Sequence, residues 1–152
     1  MTLHDIALEE IMSTKVLTVK KSDLLAHVAQ IFEDENIHHL PVVTEEGAVI
    51  GILSSVELHQ LQDAFTIFKL NSADQKNKAV FNSTLVEEVM KDKVVCLYPD
   101  QSVLEAYEYF KENLFHAIPV VDRQTKALVG IVSTYDLLAY AYNNTLASER
   151  IY

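Results

Sequence analysis

A chain of 152 residues that is 49% hydrophobic and 22% charged can bury a core, which excludes a disordered polymer. The formal charge of −10, from 22 acidic and 12 basic residues, leaves no basic stripe for phosphates, so nucleic acid is not an expected partner. A single cysteine, Cys96, excludes an internal disulfide and a Cys-rich zinc site.

The N-terminus, residues 1–10, carries Asp5, Glu9 and Glu10 and lacks the pattern of a signal peptide. No apolar stretch approaches the roughly 20 residues that span a bilayer. No membrane is therefore expected, and these features favour the cytoplasm.

In chain order, a short helix is predicted to end near Met12, followed by a β-branched run, Val16 to Val19. An amphipathic helix comes next. Leu24, Val28, Ile31 and Phe32 form its apolar stripe, and Ser22 or Asp23 can cap it. Two strands, Leu40 to Thr44 and Ala48 to Leu53, flank a Glu45-Glu46-Gly47 turn, and a helix starts at Ser54. Leu61, Phe65 and Phe68 continue a helical face, and Asn71 to Lys78 reads as a polar loop.

The same series then recurs. A short helix ends near Met90, and Val94 to Leu97 is the β-branched run. Val103, Ala106, Tyr107 and Phe110 form the second stripe, with Pro99 before it and Asp100 or Ser102 as cap. Strands Ile118 to Asp122 and Ala127 to Val132 flank the turn Arg123 to Lys126, and a helix starts at Ser133. The nearly continuous apolar character of the strands is that of strands covered on both faces.

The recurrence is a true repeat. Met12 and Met90 stand 78 residues apart, as do Pro41 and Pro119, and Gly51 and Gly130 stand 79 apart. The chain has only three residues each of methionine, proline and glycine, and two of each fall on matching positions. The extra residue lies in the second hairpin turn, where an insertion disturbs little buried backbone. The reading is a duplicated βαββα unit over 1–60 and 84–152, joined by a linker over 61–83.

Chemistry concentrates at the strand-to-helix junctions. Gly130-Ile-Val-Ser133-Thr-Tyr-Asp136 sets a hydroxyl and a carboxylate three residues apart at a helix start. Free N–H groups and the positive end of the helix dipole favour an anion there, and a carboxylate can accept two hydrogen bonds from a ribose diol. Ser-x-x-Asp is equally a capping box, and Ser54-x-x-Glu57 matches that reading better still. His38 and His116 stand at equivalent positions before the Pro-Val-Val strands, and His39 adjoins the first. Contact with a phosphate, a loop or capping role, and a metal are the three readings of these histidines. No zinc spacing accompanies them. No nucleophile-elbow, P-loop or dinucleotide fingerprint is present, so no catalytic residue is assigned. Cys96, between Val95 and Leu97, reads as a buried small side chain.

The repeated Met…His-x-(Leu/Ile)-Pro-Val-Val…Gly-Ile-(Leu/Val)-Ser-x-x-(Glu/Asp)-Leu pattern resembles CBS domains, over residues 6–60 and 84–142. The resemblance implies an α/β fold of tandem repeats, each a small three-stranded sheet flanked by helices, packed about a pseudo-two-fold axis. It implies a regulatory, energy-sensing module that takes an adenosine-containing ligand (AMP, ADP, ATP or S-adenosylmethionine) in clefts between the repeats. In one cleft Asp136 would hold the ribose hydroxyls, with Ser133 near ribose or phosphate and Val94, His116, Ala117 and Ile118 framing the adenine. The equivalent set is Val16, His38, His39, Leu40, Ser54 and Glu57, with Glu57 in place of the usual aspartate. Few basic residues lie near the motifs (Lys15, Lys93, Arg123), which favours a monophosphate or nucleoside over a triphosphate.

The expectation is thus a non-enzymatic CBS pair that requires no cofactor and holds no metal. It would work as a homodimer or on an unknown protein partner, because the two repeats fill the chain and leave no output domain. The alternative is a ligand-free dimerisation or protein-interaction module.

Overall fold

The computed structural model describes residues 6–66 and 78–149. Two compact units result, and they cut across the repeats. One is Leu17–Val94, and the other joins Met1–Val16 to Val95–Tyr152.

In the unit Leu17–Val94, α1 (Leu25–Asp34) leads into β1 (His39–Val43), β2 (Val49–Ser54) and α2 (Ser55–Thr66). Strands β1 and β2 pair antiparallel, with His39 opposite Ser54 and Pro41 opposite Ile52. Single-residue bridges extend the sheet on both sides, Val19 parallel to Val42 and Lys91 antiparallel to Ile52. The expected third strand thus shrinks to one bridge. The Val19 N–H donates to the Pro41 carbonyl (3.1 Å) and the Val43 N–H to the Val19 carbonyl (2.9 Å). The next bond of such a ladder would need an N–H on Pro41, which proline lacks. In the hairpin turn Gly47 takes φ 87°, the left-handed conformation that a residue without Cβ adopts freely.

The core of this unit collects Val19, Leu25, Val28, Leu40, Val42, Leu53 and Leu58 with Phe81 from the linker and Val86 from beyond it. The 3-10 turn Val86–Glu88 sits against the start of α1. The Leu25 N–H donates to the Thr84 carbonyl (2.9 Å) and the Val86 N–H to the Asp23 carbonyl (2.8 Å). Gly51 makes room for the same segment, since a Cβ there would stand 2.6 Å from Met90 Sδ.

In the other unit, α3 (Val103–Asn113), β3 (Ala117–Val121), β4 (Leu128–Ser133) and α4 (Thr134–Glu149) repeat the layout. Pro119 stands opposite Ile131, and Leu97 bridges Val120 in parallel, again cut short by the proline. Here the N-terminal segment supplies the missing packing. Ile6 and Leu8 join Leu97, Val103, Ala106, Phe110, Ile118, Val120 and Val132 in the core. The Val103 N–H donates to the Ile6 carbonyl (2.9 Å), and Ser13 and Ile131 exchange two backbone hydrogen bonds of 2.9 Å. Gly130 faces Met12 as Gly51 faces Met90. In the second turn Lys126, with φ 61°, takes the left-handed position that Gly47 holds in the first.

The repeats therefore exchange their leading segments. Leu8 and Val86 are both 0% exposed, each within the core built on the other repeat's strands. Burying side chains of this size stabilises by about 1.5–3 kcal/mol apiece.

Local expectations changed at a few positions. Leu24 is 39% exposed and serves as the N-cap of α1 without a side-chain bond, while Leu25 takes the buried position. Asp23 accepts instead from the Lys20 N–H (2.8 Å). Tyr107 is exposed on α3, whereas Val103, Ala106 and Phe110 are buried. Ser102 caps α3 in a reciprocal box with Glu105, and Asp100 pairs with Arg123 at 2.7 Å. Strand β1 is buried throughout Leu40–Val43, but β2 alternates, so only one of the two strands is covered on both faces. Phe68, the Phe65 side chain and 71–77 of the expected loop lie outside the described residues, and Lys78 is helical.

Candidate functional site

The strand-to-helix junction of β4 and α4 builds a closed polar loop at a helix start. The Ser133 N–H and Oγ–H both donate to Asp136 Oδ2, each at 2.7 Å, and the Asp136 N–H donates to Ser133 Oγ at 3.2 Å. This is the capping box, fully formed. The carboxylate sits half-buried at the N-terminal end of α4. Among the described residues, every hydrogen bond to this carboxylate falls on Oδ2, and Oδ1 takes none. The His116 carbonyl accepts from the Thr134 N–H (3.1 Å), tying the start of β3 to the start of α4.

The junction of β2 and α2 has the same backbone frame. The Ser54 N–H donates to Glu57 Oε2 (3.2 Å), and the Glu57 N–H donates to Ser54 Oγ (3.2 Å). The His38 carbonyl accepts from the Ser55 N–H (2.9 Å). The difference is a cation, because Lys91 Nζ forms an ion pair with Glu57 Oε1. Burial alone would raise the Glu57 carboxyl, but the Lys91 ammonium and the Ser54 hydrogen bonds outweigh it and hold Glu57 below the ordinary glutamate value.

The predicted residues fall into place unevenly. His116, Ala117, Ile118, Ser133 and Asp136 share one unit, while Val94 belongs to the other. His38, His39, Leu40, Ser54 and Glu57 share the second unit, while Val16 belongs to the first. Leu40 (0% exposed) and Ile118 (1%) are core residues, so neither side chain is presented to a ligand. Both His38 and His116 are exposed and use their carbonyls as helix-start acceptors, and His38 Nδ1 lies 3.4 Å from Ser55 Oγ. Sequence reasoning missed Lys91 and its counterpart Ser13. Their position directly after the repeated methionines was visible, but the exchange that delivers them to the junctions was not.

Among the described residues no group of three or more His, Cys, Asp or Glu is arranged to hold a metal, and no helix is long and apolar enough to cross a membrane. Cys96 is half-buried rather than fully buried, and that burial pushes its thiol up from the usual value.

The CBS domain profile matches residues 8–63 and 86–143. CBS domain-containing protein YhcV of Bacillus subtilis is 26% identical over 145 residues, covering 95% of this chain and 92% of its own. The chain spans only 22% to 24% of the length of the homoserine O-acetyltransferases that it also matches. Among solved structures, the CBS domain pair of protein MJ0100, in complex with 5'-methylthioadenosine and S-adenosyl-L-methionine, gives a TM-score of 0.73 at 23% identity. It covers 91% of this chain and 98% of that one. CBSX2 of Arabidopsis thaliana, in complex with AMP, gives 0.74 at 18% identity with the same coverages. Two profile matches, one on each repeat, with the fold shared by solved CBS pairs, establish that this chain belongs to the CBS domain family.

Proposed function

We propose that this CBS pair is a regulatory module that binds an adenosine-containing ligand, and that the Ser133–Asp136 junction is its first binding site. The observation that carries the reading is the Asp136 carboxylate, whose Oδ2 takes both Ser133 bonds while Oδ1 takes none among the described residues. A vicinal diol offers two O–H donors of the kind such an oxygen accepts. Ligands of MJ0100 and CBSX2 support the chemical class, since each carries an adenosine moiety. Val94, His116, Ala117 and Ile118 are proposed to frame the base, and Val16, His38, His39, Leu40, Ser54 and Glu57 to form the equivalent second set. The module needs no cofactor in this reading, catalyses nothing itself, and works in the cytoplasm, where adenine nucleotides are plentiful.

Thermal unfolding with AMP, ADP, ATP, adenosine and S-adenosylmethionine tests the proposal. A ligand at about 100 times its dissociation constant adds roughly 2.7 kcal/mol. At about 2–4 °C per kcal/mol the melting temperature rises by roughly 5–10 °C. No shift with any adenine compound refutes the reading, and an undiminished shift in Asp136→Ala refutes the site.

One feature favours a second role, self-association or docking of a protein partner. Tyr135, Leu138 and Tyr142 are 74%, 65% and 63% exposed along one face of α4. Sedimentation of the wild-type chain beside Leu138→Glu tests it, a monomeric wild type being the refuting result for homodimerisation.

A further inference from the structure

We propose that Lys91 is a specificity-determining residue that withdraws the Glu57 carboxylate from ligand binding and makes the two equivalent junctions unequal. This rests on the diol-binding reading given above. The two junctions share one backbone frame but differ in how the acid is engaged. Glu57 has both oxygens committed, Oε2 to the Ser54 N–H and Oε1 to Lys91. Asp136 gathers both of its bonds from Ser133 on Oδ2 alone.

The cation arrives through the exchanged segment. Lys91 and Ile52 exchange two backbone hydrogen bonds of 3.2 Å, which fixes the lysine beside the strand that ends at Ser54. The equivalent bridge in the other unit joins Ser13 to Ile131, and serine brings no charge to Asp136. One side chain, at an otherwise matching position, thus decides whether the acid is free. A diol entering the Glu57 junction must displace the ammonium. The lysine is 69% exposed and the glutamate 31%, so the pair is partly screened and the penalty amounts to a factor of about two to five.

The test uses the whole chain and adenosine, which carries no phosphate for Lys91 to meet. In an Asp136→Ala background only the Glu57 junction reports. Adding Lys91→Ser, which installs the residue found at position 13, should tighten adenosine binding by about two- to fivefold. Adding Lys91→Arg instead, which keeps the cation, should leave the affinity unchanged. In the reciprocal chain, Ser13→Lys should weaken binding at Asp136 by a similar factor. Equal affinity with and without Lys91→Ser, or the same gain from Lys91→Arg, overturns the proposal while leaving the diol reading intact.

Failure of adenosine to bind any chain, the wild type included, overturns both the diol reading and the specificity role. The ion pair is then judged by itself from the carboxyl carbon of Glu57 followed by NMR. Its titration midpoint should lie below an ordinary glutamate and rise in Lys91→Ser. A midpoint that does not move shows that Lys91 does not hold Glu57.

Discussion

Replacing Gly130 by alanine probes the exchange of segments directly. The new Cβ would stand 2.5 Å from Met12 Sδ, 3.0 Å from Met12 Cγ and 3.0 Å from the Ser13 carbonyl oxygen. The thioether can swing aside, but the carbonyl cannot, because it accepts the Ile131 N–H at 2.9 Å. Overpacking of this kind costs about 1–3 kcal/mol. The expected fall in melting temperature is about 2–4 °C per kcal/mol. Urea unfolding of the wild type, Gly130→Ala, Met12→Ala and the double variant separates the terms. Removing the sulfur relieves part of the clash, so the double variant should be more stable than the two single changes added together. The coupling should be about 0.5–3 kcal/mol, whereas Gly130→Ala with Met90→Ala should add to within about 0.5 kcal/mol. Coupling to Met90 instead of Met12 would refute the exchanged arrangement.

Three further outcomes follow from the packing and the charges. Ser102→Ala removes the side-chain acceptor for the Glu105 N–H and should cost about 1 kcal/mol, read as a lower urea midpoint at unchanged slope. Leu8→Ala should cost about 2–5 kcal/mol, and hydrogen exchange should show the lost protection in β3 and β4 rather than in β1 and β2. The lowered Glu57 carboxyl adds stability that is complete above its unfolded value of 4.5 and is lost as pH falls through the folded value. Between about pH 6 and pH 3 the wild type should therefore lose more stability than Glu57→Gln, and an equal loss would show that the Lys91 pair contributes nothing.

Much of the molecule could be read from spacing. Matched anchors exposed the duplication, and the equivalent core positions are buried as their repeat numbering implies. Leu40 and Ile118, Val42 and Val120, and Leu53 and Val132 are all at most 4% exposed. The Ser-x-x-acid spacing foretold both capping boxes, because that contact is made within one helical turn and depends on nothing distant. Local ambiguity was harder to resolve. Leu24 and Leu25 are adjacent leucines, and the pairing of this segment with Thr84 to Val86, distant in sequence, accompanies the inward turn of Leu25.

By itself, the sequence determined the repeat, the paired strands and longer helices of each unit and the residue types at the two junctions. These follow from periodicity and from contacts between near neighbours in the chain. Tertiary structure alone decided which copy of each leading segment packs on which sheet. Met12 facing Gly51 and Met12 facing Gly130 satisfy the same local pattern, since the two glycines have the same surroundings in sequence. A duplicated chain leaves that choice open, and the long-range backbone pairing of Ser13 with Ile131 and of Lys91 with Ile52 settles it. With that choice comes a charge that separates the two junctions, Lys91 on Glu57, where the matching position in the other unit is Ser13.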